Sequence, residues 1–383
     1  MLRTPMQALD TVSAVYPQDY RQLRIAIISD AESERNGVGA YYHDLADVLG
    51  DHVDQIELIC PGHAHIRHGL KFALPGDATQ KVWLPPLRQI NARVKRLEPH
   101  VIIVPTPGPF GLLGARLAKR LDTSLVVGFH THFEKIMDLY WSRWFGYLTV
   151  SYFELLNRHL FKQSRIILAN SDEMVRIAHD RSKKPVELMG TPIPRAFLAT
   201  PLPPQNPQVK SILYAGRLAA EKNVAAIISA AEKLPDFHFS IAGDGPIRNE
   251  VMSAVAKLPN LDYLGWLSRQ DMLTTMDRAD MLVLPSHVES FGTIAMEAMA
   301  RRKLVLVSAH CGIANWPELK PGLFVINDEE NTAQAIRRVT GLSGDIRYYK
   351  AKKAREGAER LSQWNIDNWL RILSRHASLA TVA

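Results

Sequence analysis

Short continuous runs of apolar residues recur along the chain. They alternate with longer segments in which apolar positions return every three or four residues. The first run, Arg24-Ile25-Ala26-Ile27-Ile28-Ser29, is continuous and of strand length, the pattern of a strand covered on both faces. Residues 37–49 then carry helical spacing. Further strand-length runs lie at 56–59, 101–104, 125–129 and 166–169, with helical patterns such as 110–121 and 171–180 in the gaps. Strands buried on both faces and separated by helices predict a parallel, doubly wound α/β sheet.

Residues 198–208 interrupt the alternation with Leu-Ala-Thr-Pro-Leu-Pro-Pro-Gln-Asn-Pro-Gln. Four prolines there exclude a helix and disfavour a central strand, so the segment reads as a linker. The alternation restarts at 211–215, continues with a helix over 224–234, and adds strands at 237–242, 261–264, 281–284 and 304–307. A last helical pattern, 366–376, follows Trp364 and lies beyond the alternation. The expected division is an N-terminal domain over 1–197, the linker, a C-terminal domain over 209–365, and a terminal helix over 366–383. Open α/β sheets bind ligands beyond the carboxyl ends of their strands. Two such sheets facing each other across a cleft would suit a reaction between two substrates, one held by each domain.

A length of 383 residues suits two domains. With 46% hydrophobic and 22% charged residues, the chain can build two cores and is not a disordered one. Cys60 and Cys311 are the two cysteines, too few and too distant for a disulfide framework or a metal spacing. Residues 1–21 lack the apolar run of a signal peptide, and no segment approaches the ~20 apolar residues of a membrane span. A cytoplasmic protein, able to touch a membrane face, is expected. The net charge of +7 and pI near 9.3 favour anionic partners: phosphorylated substrates, lipid headgroups or nucleic acid. The basic residues are scattered and form no recognised nucleic-acid module, which disfavours the last.

Three segments of the second half carry candidate chemistry. Gly216-Arg217-Leu218-Ala219-Ala220-Glu221-Lys222-Asn223 follows a strand and opens a helix, so Arg217 and Lys222 stand where a diphosphate could be gripped. Gly243-Asp244-Gly245-Pro246 is a tight turn with proline at a helix start. In the third, a strand ends in a loop holding Glu289, and a helix begins near Phe291-Gly292-Thr293-Ile294, whose free N–H groups suit phosphate. Glu297 lies further along that helix among Ala295, Met296, Ala298 and Met299. A carboxylate in so apolar a helix needs a partner.

This ordered set, with Glu297 eight positions after Glu289, resembles the retaining GT-B glycosyltransferases of family GT4. The likeness covers nearly the whole chain and is strongest over 211–300. It implies two Rossmann-like domains, a nucleotide-sugar donor (UDP- or GDP-sugar), catalysis without a metal or other cofactor, and retention of anomeric configuration. Carried over by position, Arg217 and Lys222 would bind the donor diphosphate, with Gly216, Gly243 and Asp244 in the adjoining turns. Glu289 would hold the donor sugar and Glu297 the ribose, and the backbone of Phe291, Gly292, Thr293 and Ile294 would complete the nucleotide site. In the first half, Glu34-Arg35-Asn36-Gly37-Val38-Gly39 resembles the family's glycine loop, with Gly37 and Gly39 near the donor. Phe129-His130-Thr131-His132 resembles its catalytic-cleft histidine, His130 being the better match. The chain departs from the family at Arg301-Arg302-Lys303, where Gly-x-Pro is usual, and at 312–318, where the later Gly-x-x-Glu is blurred. Two alternatives stand beside this reading: a sugar-nucleotide epimerase of related fold and a non-catalytic two-domain binding protein.

The acceptor is sought in the first half. Residues 133–148 pack Phe, Tyr and Trp beside Lys and Arg, as interfacial membrane segments do. The pattern His130-Thr131-His132-Phe133-Glu134 resembles the branch that glycosylates diacylglycerol and related lipids. A lipid acceptor, or else a glycan, is therefore expected, at the inner face of the membrane.

Overall fold

The computed structural model describes residues 20–32, 37–62, 71–74, 77–130 and 143–377. The chain divides into two compact units, Met1–Pro192 with Gln363–Ala383, and Ile193–Ser362.

The first unit runs β1 (Arg24–Ile28), α1 (Gly37–Leu49), β2 (Gln55–Ile59), β3 (Lys71–Leu74), β4 (Asp77–Trp83), α2 (Leu87–Leu97), β5 (Val101–Val104), α3 (Pro109–Arg120), β6 (Ser124–Phe129), α4 (Arg143–Gln163), β7 (Ile166–Ala169), α5 (Asp172–Arg181) and β8 (Val186–Leu188). Six of these strands form one parallel sheet in the order β2-β1-β5-β6-β7-β8. Residues of β1, β5, β6 and β7 are almost all buried, because helices cover both faces. One face packs on Ile90, Val94, Phe110 and Leu117. The other packs on Tyr42, Leu45 and, from far along the chain, Trp369, Leu370, Ile372 and Leu373. β3 and β4 pair antiparallel as a separate hairpin.

The second unit runs α6 (Arg195–Ala199), β9 (Ser211–Ala215), α7 (Val224–Lys233), β10 (His238–Ala242), α8 (Arg248–Val255), β11 (Leu261–Gly265), α9 (Arg269–Arg278), β12 (Met281–Leu284), α10 (Thr293–Ala300), β13 (Leu304–Ser308), β14 (Leu323–Ile326) and α11 (Thr332–Thr340). Its sheet is again parallel, in the order β11-β10-β9-β12-β13-β14. α12 (Gly344–His376) begins in this unit and ends in the first.

The proline-rich segment does not separate the units. The division falls at Pro192/Ile193, and 198–208 lies within the second. The cause is Arg301. Its guanidinium is fully buried, donates to the carbonyls of Phe197, Thr200 and Pro201 at 3.2, 2.7 and 2.6 Å, and pairs with Asp277 at 2.7 Å. Arg355 binds the Leu198 carbonyl at 2.8 Å. The residues that replace the family's Gly-x-Pro thus fasten a segment whose own prolines cannot hydrogen-bond it to a sheet.

Candidate functional site

In the second sheet the chain reverses its winding between β9 and β12, the crevice where open α/β sheets take ligands. The loops leaving these two strands carry the expected residues and meet. Lys222 Nζ lies 2.7 Å from Glu289 Oε2 and donates to the Val288 carbonyl at 3.3 Å. Arg217 Nη1 lies 3.3 Å from Glu221 Oε1. The Glu221 carbonyl receives the N–H groups of His287 and Val288 at 2.8 and 3.1 Å, and the Asn223 amide binds the Pro285 carbonyl at 3.1 Å. One loop is therefore stitched along the other, and both cations sit on a fixed backbone. Burial works to lower the Lys222 ammonium, but the Glu289 and Glu221 carboxylates outweigh it and hold it above the usual lysine range.

Glycines make this packing possible. A Cβ on Gly243 would lie 1.9 Å from the Gly216 carbonyl oxygen, and one on Gly245 would lie 2.3 Å from that of Leu218. Gly243 also has φ +135, which a side chain would strain. Asp244 belongs to the same turn: its carbonyl accepts from the Leu218 N–H at 3.0 Å, and its carboxylate from the Gly245 N–H at 2.9 Å.

Gly292, at φ +99, is the N-cap of α10 with no side-chain cap, so the first turn keeps backbone N–H groups for a ligand. Phe291 is buried and stands edge-on to Trp316 at 5.8 Å. Thr293 and Ile294 open the helix half-buried. The loop is braced from β13: Ser308 Oγ donates to the Ser286 carbonyl at 2.6 Å, and the Gly312 and Ile313 N–H groups donate to the Glu289 and Phe291 carbonyls at 2.9 and 2.8 Å. Cys311 lies beneath, its thiol pushed up to about 12 by burial and by Glu289. Glu297 is 1% exposed and has a partner that sequence reasoning missed: Arg269 Nη1, 2.8 Å away, at the start of α9. The signal available was a basic residue directly after a Ser N-cap; nothing in that pattern names its mate.

In the first unit, Gly37 and Gly39 open α1, while Glu34, Arg35 and Asn36 lie outside the described residues. His130 follows β6 immediately. Its Nε2 is 2.9 Å from the Tyr42 hydroxyl, and the Tyr41 and Tyr42 rings stand edge-on to it, each at 5.2 Å. Burial pulls its imidazole down to about 3, so it is neutral. The segment expected to meet lipid, 133–148, lies outside the described residues as far as 142; beyond that it is helical, within α4.

The first sheet has its own reversal, between β1 and β5, and sequence reasoning missed what fills it. Asp30 accepts from Thr106 Oγ1 at 2.7 Å and from the N–H groups of Gly108, Phe110 and Gly111 at 3.0, 2.7 and 3.1 Å. The α3 N-terminus, where an anionic ligand could bind, already holds a carboxylate of the chain. Burial raises the Asp30 carboxyl, against the opposing pull of these hydrogen bonds.

Residues 203–355 match the family model described as "Glycosyl transferases group 1", and residues 35–195 match "Glycosyltransferase Family 4". Sulfoquinovosyl transferase SQD2 of Arabidopsis thaliana is 23% identical over 285 residues, covering 71% of this chain and 56% of its own. This chain thus spans just over half the length of that relative. Among solved structures, sucrose-phosphate synthase from Thermosynechococcus elongatus superposes with a TM-score of 0.69 at 16% identity, over 93% of this chain and 98% of the other. Anabaena Alr3699/HepE, solved with UDP and glucose, gives 0.64 at 16% identity over 94% and 100%. These two likenesses concern the fold, which is GT-B.

Proposed function

We propose a reaction from one premise: this chain belongs to the glycosyltransferases, with a family 4 domain in its first unit and a group 1 domain in its second. It transfers a sugar from a nucleoside-diphosphate sugar to an acceptor hydroxyl. The observation that carries this is the meeting of Lys222 and Glu289, one from each strand flanking the second sheet's reversal, beside the uncapped start of α10. Arg217, Lys222 and the helix N–H groups stabilise the charge that develops on the leaving diphosphate. Glu289 holds the sugar's hydroxyls. Glu297, anchored by Arg269, serves the ribose. Retention follows if the acceptor attacks from the face the diphosphate leaves, with that diphosphate taking the proton. HepE is recorded with UDP, which makes UDP-sugars the first donors to try. Incubation with a panel of UDP- and GDP-sugars, followed by mass analysis and the anomeric coupling constant of the product, tests all of this. Turnover of a donor with no acceptor would favour an epimerase instead.

The acceptor we infer is a lipid at an anionic membrane face. Support comes from the outer side of α4, where Tyr152 and Leu155 are 56% and 66% exposed among the exposed Arg158, His159 and Lys162. Apolar bodies and cationic heads on one helix face suit an interface. Among the described residues no helix is long and apolar enough to cross a membrane. Binding through such a helix face should be reversible and weakened by salt. Flotation with anionic and neutral vesicles at low and high salt tests it: failure to float with anionic vesicles at low salt leaves a soluble acceptor.

A further inference from the structure

We propose that the carboxyl end of the first sheet takes a neutral hydroxyl group, whose O–H is received by the side-chain amide oxygen of Asn170. That this hydroxyl is the acceptor's, on an unphosphorylated glycerol or sugar headgroup, rests on the reading that the first unit binds the acceptor.

Asn170 follows β7 directly. Its Oδ1 is buried, yet it meets no hydrogen-bond donor among the described residues. Folded chains rarely leave a buried polar atom so, because its lost hydration goes unreplaced. The backbone on both sides is fixed. The Ala169 carbonyl receives the Met189 N–H at 2.8 Å, and Ser171 caps α5 by accepting from the Met174 N–H at 3.3 Å. Phe129 pairs with Ala169, so His130 and Asn170 are the next positions on neighbouring strands. Side chains alternate along a strand. Phe129, Ile167 and Ala169 belong to the core on the α3 side, and Val126 and Leu168 to the core on the α1 side. Asn170 therefore falls, like His130, on the α1 side.

Charge along this end of the sheet decides what kind of group fits. Among the described residues that follow its six strands (29–32, 60–62, 105–108, 130, 170–171 and 189–192) none is a lysine or an arginine, and burial keeps His130 neutral. The α3 N–H groups are already taken by Asp30. A phosphate or carboxylate would find no cation there to offset its desolvation. An ammonium is no better served: the Asp30 carboxylate is engaged by Thr106 and those N–H groups, and Glu32 Oε1 receives the Trp83 Nε1–H at 2.9 Å. A hydroxyl needs no counter-charge. It donates and accepts, so it satisfies the amide whichever way its oxygen and nitrogen are placed.

The full chain labelled with 15N-asparagine tests this through the Asn170 side-chain amide signal, identified as the one lost in Asn170→Leu or Asn170→Asp. The probes are dihexanoylglycerol and methyl α-glucoside, each beside a phosphorylated counterpart, dihexanoylphosphatidate and glucose 6-phosphate. A neutral probe should shift the signal, and which of the two does so tells glycerol from sugar. Its phosphorylated counterpart should bind there at least about tenfold more weakly. In Asn170→Leu the neutral probe, followed by saturation-transfer difference, should bind about tenfold more weakly, the loss of one hydrogen bond. Asn170→Asp keeps an accepting oxygen and should restore binding. No shift from either neutral probe overturns the proposal, as does equal or tighter binding of the phosphorylated one at this signal. Unchanged affinity in folded Asn170→Leu overturns it too. A shift in the unaltered protein together with an unchanged acceptor KM in Asn170→Leu overturns the reading beneath it, that the hydroxyl is the acceptor's, and leaves the hydroxyl site standing.

Discussion

Each cation of the proposed donor site is held by a carboxylate, Arg217 by Glu221 and Lys222 by Glu289. A diphosphate arriving there competes with fixed anions, so its hold on each cation is a difference and not a full ion-pair energy. Arg217→Ala and Lys222→Ala are each expected to weaken UDP binding by about 1.5–3 kcal/mol, the range for a charged hydrogen bond, in calorimetric titration. Equal affinity in both variants would refute the site. Arg269→Ala removes a partner of the buried Glu297 and should cost about 1–3 kcal/mol of stability, read as a lowered unfolding midpoint. His130 gives a pH dependence of fixed sign. Its folded value lies below its unfolded one, so the unfolded chain takes up a proton first. Stability should therefore fall as pH drops below about 6.5 and keep falling towards pH 3, and His130→Gln should flatten that slope in denaturation series. At this scale the sequence was informative about need and silent about partners. Glu297's apolar neighbours said that it required a mate, but Arg269 lies 28 positions away in the chain and only the fold joins them. Arg301 read only as a departure from the family's Gly-x-Pro, and its burial depends on carbonyls a hundred residues distant.

The elements were legible where burial on both faces left unbroken apolar runs, as in β1, β5, β12 and β13. The β3–β4 hairpin was not, because Asp77-Ala78-Thr79-Gln80-Lys81-Val82-Trp83 has neither such a run nor a clean alternation. β8 is three half-buried residues at a sheet edge, too short for any period. α12 was seen only in its last third, since residues 344–360 carry so many exposed charges that the apolar stripe is thin. The turn elements read correctly as glycine-rich but not as mutually packed. Gly243→Ala tests that packing. Its Cβ would overlap the Gly216 carbonyl, so the β9 loop must shift. The variant should lose about 1–3 kcal/mol from the backbone strain alone, and UDP binding should fall with it. A melt and a titration on the same sample separate the two effects.

For the whole molecule, two side-chain cations at the proposed diphosphate site lead to the expectation that transfer survives EDTA; a strict manganese or magnesium requirement would argue against this use of Arg217 and Lys222. The discontinuity of the first unit has a second consequence. Trp369, Leu370, Ile372 and Leu373 are buried in its core, yet they follow the whole of the second unit in the chain. Trp369→Ala alone should cost about 3–5 kcal/mol, measured by denaturant unfolding. During translation, the ribosome must make about 170 residues of the second unit before it reaches these four. At about 5–20 residues per second this takes roughly 10–35 s. Throughout that interval the face of the first sheet that carries Ile25, Ile27, Val101, Ile103 and Val126 is covered by α1 residues such as Tyr42 and Leu45 but lacks these four, which leaves apolar surface that a chaperone can bind. The unit made first is thus the one finished last.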